Sequence, residues 1–211
     1  MRHALLSILL VTTLFCKAQP TKYEKDLATA VGLFHQMSSP ASYEASFQRF
    51  EILSNSNPSD WLPPYYAAIV KVKMCLSKMG NQDQLAEEGL YWVARAKKIQ
   101  INDEVYCAES MANTAKMSIH PTTRWFSYES RIKHPLALAK NINPKNPRIY
   151  ILQANLEYRM PGLFGGGCKN ALPLAIKADK LLLAEGGNKG NLPHWGGQSV
   201  SELLKACPIN K

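Results

Sequence analysis

NPSDWLPPYYAA, residues 57–68, and NPKNPRIYILQANLEY, residues 143–158, decide how this chain folds. Each opens on Asn-Pro and runs into aromatic and small residues at helical spacing. The chemistry suits a helix start: Asn146 can accept from the first free backbone N–H groups, and Pro147 is pre-set for the first turn. Working outward, similar breaks stand at QINDE (100–104) and GNLPHW (190–195). With Asn57, Asn102, Asn143 and Asn191 as markers, the intervals are 45, 41 and 48 residues, a period typical of stacked helix pairs.

The segments after the breaks align on one another. Tyr66-Ala67-Ala68, Tyr106-Cys107-Ala108 and Leu152-Gln153-Ala154 each set a large residue two before an alanine, and the runs end in Met74, Met117 and Met160. Small residues at matched positions let neighbouring helices approach closely. A second helix follows in each unit, predicted at 83–99, 123–140 and 170–185, with apolar residues at i, i+3/i+4 and i+7. The first unit fits through Leu27, Val31 and Phe34, then Tyr43, Phe47 and Phe50. The pattern predicts an all-α chain of eight helices in four hairpins, with a ninth near 197–207.

This order of aromatic, small residue, second-helix alanines and Asn-Pro resembles the tetratricopeptide repeat superfamily over nearly all of residues 19–211. The intervals exceed that family's usual length of about thirty-four, and its first-helix glycine is missing. The resemblance implies a right-handed α-α superhelix acting as a binding or assembly scaffold, not an enzyme, with no cofactor. It extends to exported helical-repeat proteins of Gram-negative, Bacteroidetes-like envelopes. MPGLFGGGCKNALPLAIKAD (160–179) is also similar to a hairpin in the helical component associated with some TRAP transporters. The expected partner is a protein or peptide in a concave groove. A small-ligand or transporter-accessory role is the alternative.

Residues 1–18 have the layout of a secretory signal peptide: Arg2 and His3, an apolar run from Ala4 to Phe15, and a cleavage point after Ala18. The run is too short for a spanning helix. Export to the periplasm is expected. A lipid anchor on Cys16 is the rival, although Phe15 stands where a lipoprotein peptidase wants a small residue. Removing 1–18 takes away Arg2 and Lys17 and no acid, so the formal charge of +9 becomes +7. The basic residues are scattered and no nucleic-acid module is present, so nucleic acid is not an expected partner.

The candidate binding residues lie in three places. Gly162 to Gly167, with Phe164, Gly165 and Gly166 between, precede Cys168 and Lys169. Cys168 stands where a phosphate-binding loop needs Lys, and the loop follows a helix instead of a strand, which excludes nucleotide hydrolysis. Two readings stay open: a tight turn with Phe164 tucked into the core, or backbone N–H groups beside Lys169 holding an anion. His194 and Trp195 form an aromatic spot expected near that loop. Tyr66 and Tyr106 belong to an aromatic stripe with Trp61, Tyr65, Tyr150 and Tyr158, on helices that would line the concave face; two readings stay open, core aromatics at helical spacing or a ligand groove. No catalytic constellation and no metal-ligand spacing is found. Stacking order pairs Cys168 with Cys207, because the start of one helix should lie beside the end of the last; Cys75 and Cys107 should be reduced and buried.

Overall fold

The computed structural model describes residues 19–162, 166–187 and 189–208, and all regular structure among them is helical. The order is α1 (Lys22–Phe34), α2 (Pro40–Ser56), α3 (Leu62–Leu76), α4 (Gln82–Ile99), α5 (Asp103–Ile119), α6 (Pro121–Ile142), α7 (Pro147–Arg159), α8 (Cys168–Glu185) and α9 (Gly197–Ala206). The expected helix pairs are present, with ends shifted by a residue or two. The expected signal peptide and Cys16 lie outside the described residues. No described helix is long and apolar enough to cross a membrane.

Local chemistry starts these helices where the sequence marks them. Thr21 and Ser39 form capping boxes with Glu24 and Ser42, and the side chains of Asn81, Asn102 and Asn146 accept from backbone N–H groups of the helices they precede. At these five helix starts a side chain thereby satisfies one of the orphan backbone donors.

Helices pack as α1/α2, α3/α4, α5/α6 and α7/α8, and α3, α5 and α7 also touch in succession. These form an inner row. In α3 nearly every residue from Pro63 to Cys75 is buried, whereas α4 buries only the stripe Leu85, Ala86, Gly89, Trp92, Val93 and Ala96. Gly89 is required by this packing, since a Cβ there would sit 2.8 Å from Val72 Cγ2. Pro135 interrupts the hydrogen-bond ladder inside α6, and near that break the buried Ser110 hydroxyl of α5 donates to the Ile132 carbonyl at 2.9 Å.

The cysteines follow the expected stacking. Cys168 and Cys207 are bridged with Cα atoms 5.3 Å apart, tying the start of α8 to the end of α9, while Cys75 and Cys107 are free and buried.

On the inner face the core reading of the aromatic stripe applies to two of its members. Tyr65 and Tyr66 are both fully buried and face no open groove. The segment between α8 and α9 crosses this face and covers them. Tyr66 donates to the Asn191 carbonyl at 3.0 Å, and Tyr65 accepts from the Trp195 indole at 2.8 Å. Trp195 therefore does not sit by the glycine loop. α9 separates the two, and ten helical residues span roughly 15 Å.

Candidate functional site

The covering segment is fastened at both ends. At its start Lys189 pairs with Glu185 at 2.8 Å, and Glu185 with Arg148 at 2.5 Å. Arg148 also pairs with the buried Glu104 at 2.8 Å, and Glu104 accepts from Asn146 at 2.8 Å and Tyr65 at 2.9 Å. Tyr65 closes the chain of contacts on Trp195. Each buried charge thus has charged and hydrogen-bonded partners, the condition under which burial is tolerated. Gly190 (φ 62°) and Gly196 (φ 110°) supply left-handed turns, and a Cβ on Gly196 would run into the end of the Ile151 side chain.

Fixed in this way, the segment stands beside α1 and leaves a cleft of about 310 Å³ between them. Its α1 wall is the stripe Ala28, Gly32 and His35; its other wall is Gly190, Asn191 and His194. Those α1 positions lie on one helix face by their spacing. Gly32 is exposed and a Cβ there would meet nothing within 4 Å, so the floor is flat and open. The two imidazoles stack with ring centroids 4.0 Å apart and planes at 28°. His194 Nδ1 lies 2.8 Å from the Leu192 carbonyl, which places a donor proton on Nδ1 and leaves Nε2 as the free lone pair. Lost hydration where His35 packs on the segment, then His194, then the Lys73 ammonium hold the His35 pKa down to about 4. At neutral pH the stack is uncharged on the His35 side.

A larger groove of about 520 Å³ lies between α2 and α4. Its two cations are already held, although Glu51 and Tyr91 also line it. Lys71 sits 3.7 Å over the Phe47 ring and pairs with Glu88 at 2.9 Å, and Arg95 sits 5.0 Å over Trp92 and donates to Asn55 at 2.8 Å. Volume favours this groove; the uncharged lining and the histidine pair favour the smaller cleft, which we take as the site.

Of the residues expected from sequence, His194 lines the cleft, while Trp195 and Tyr66 hold its wall from behind. Tyr106 is elsewhere, with Lys97 5.0 Å over its ring. Phe164 and Gly165 lie outside the described residues. The Gly166 N–H donates to the Pro161 carbonyl and the Gly167 N–H to Glu157, so those two groups close the end of α7 and are not free to hold an anion. Lys169 is exposed at the start of α8. Sequence reasoning missed Ala28, Gly32 and the role of His35. The available signal was Gly32 itself, a helix-interior glycine on an exposed face, which costs about 1 kcal/mol relative to alanine and calls for a reason.

No family model matches the chain, and no curated protein matches it. Among solved structures it is similar to the HusA haemophore from Porphyromonas gingivalis, with 31% identity and a TM-score of 0.80 over 89% of this chain and 94% of that one.

Proposed function

This chain belongs to the family of the HusA haemophore, and from that premise we propose that it is an exported carrier that captures a haem-class tetrapyrrole in the cleft between α1 and the 190–196 segment. The observation that carries the reading is the side-chain-poor floor at Ala28 and Gly32 beside the stacked pair His35 and His194. A flat aromatic ring needs a flat apolar surface and aromatic edges to stack on. The open cleft takes one face or edge of such a ring and does not enclose it. The fit extends to the donors: Nε2 of His194 is available to an iron, and no carboxylate lines the cleft to repel an acidic ligand. The imidazoles stack on one another's faces, so as they stand they would not hold a metal between them.

Haem here is cargo, and the carrier performs no covalent step on it. The same proposal includes the finer fold reading, a tetratricopeptide-like superhelix, and release from residues 1–18 into the periplasm. Capture of a protein or peptide along the inner row has less support, because the chain's own 190–196 segment covers Tyr65 and Tyr66. Titration of the mature protein with haemin and with metal-free protoporphyrin, followed by absorbance and tryptophan quenching, tests the reading. Saturable binding of either, weakened by His194→Ala, is expected; no binding of either would end it.

A further inference from the structure

The buried and half-buried lysines of this chain fall into two kinds. Lys71 pairs with Glu88 at 2.9 Å and Glu44 at 3.6 Å. Lys116 pairs with Asp83 at 2.9 Å and with Glu87. Lys73, on the same helix as Lys71, is half-buried, and among the described residues no carboxylate pairs with its ammonium. Its contact is the Phe34 ring, 4.8 Å from Nζ to the centroid, and Phe34 lies edge-on to His35 at 5.1 Å. The ammonium is thus held on the ring that neighbours His35, and Phe34 and Lys73 stand one residue removed from the cleft lining. Taking a cation out of water without an anion is costly, and burial accordingly pulls the Lys73 pKa below the ordinary lysine value. The Lys73 charge is felt by His35 of α1, a base that lines the cleft. Nothing acidic lines that side of the cleft.

We propose that Lys73 is the anion anchor of this site, and that the cleft selects ligands with a carboxylate on a flat apolar ring, whatever metal the ring holds. This rests on the tetrapyrrole reading and adds what it leaves open, the group that decides specificity. The Lys73 stem is flexible, so its ammonium can leave the Phe34 ring for a carboxylate at the cleft rim, exchanging a cation–π contact for a charge-assisted hydrogen bond.

The experiment compares metal-free protoporphyrin with its dimethyl ester, which keeps the ring and loses both negative charges. Each is titrated by tryptophan quenching into the wild-type protein, Lys73→Met and Lys73→Arg. Lys73→Met keeps the apolar stem and breaks no ion pair, and thermal melting checks that it folds. We expect Lys73→Met to weaken the diacid by about tenfold or more, the worth of one hydrogen bond to a charged group, to leave the diester within about twofold, and Lys73→Arg to restore the diacid. A structural role for Lys73 would lower both ligands together. Equal losses, or none, with wild type still binding the diacid, would overturn the anchor and leave the tetrapyrrole reading standing. Wild type binding neither ligand would overturn both.

Discussion

The indole N–H of Trp195 donates to the Tyr65 hydroxyl at 2.8 Å, joining residues 130 positions apart. The same hydroxyl donates to Glu104 at 2.9 Å, so the covering segment and the buried ion cluster meet on one oxygen. Trp195→Phe should cost about 1 kcal/mol for the lost bond, and Tyr65→Phe about 1–3 kcal/mol because it strands both Trp195 and Glu104. In urea denaturation the double variant should cost less than the two singles combined. Strict additivity would show that the two side chains do not interact.

Gly32 offers a way to close the cleft without touching the core. It is exposed, with open space where a Cβ would go. Gly32→Trp should leave the melting temperature unchanged or slightly higher, since glycine is the poorer helix former, and should abolish tetrapyrrole binding. Full binding by a well-folded Gly32→Trp would move the site elsewhere.

Acid should loosen the α1 contact with the 190–196 segment. The folded pKa of His35, about 4, lies below the ordinary value of 6.5. Between those values the unfolded chain binds more protons than the folded one, so stability falls as pH drops through this window and levels off below it. His35→Gln should flatten the pH dependence of unfolding between pH 6.5 and 4. Histidine ring-proton NMR gives the direct check: a His35 that titrates near 6.5 would contradict the packed stack.

The Cys168–Cys207 bridge closes a separation of 39 residues. Replacing both by serine should cost about 2–4 kcal/mol yet leave ligand affinity intact, because α9 holds the bridge away from the cleft. Cys75 and Cys107 should resist thiol reagents in the native protein, and burial raises both thiol pKa values. Non-reducing peptide mapping that found Cys75 linked to Cys107 would contradict this packing.

The helix pairs, their starts at Asn102 and Asn146, the all-α class and the Cys168–Cys207 pairing were legible from sequence, because capping, apolar periodicity and antiparallel neighbours are local or nearest-neighbour rules. His194 was legible as a candidate because it sits among glycines and an aromatic. The cleft was not. It exists because residues 190–196 cross the inner row and meet α1, a pairing of segments about 160 positions apart that no periodicity encodes: His35 and His194 stack only once Trp195 has found Tyr65 and Lys189 has found Glu185. The tyrosine stripe lies on the first helices, as its spacing predicts, but that spacing is the same whether the face meets a ligand or the chain's own backbone. Only the tertiary structure decided between them, and it gave Tyr66 to Asn191.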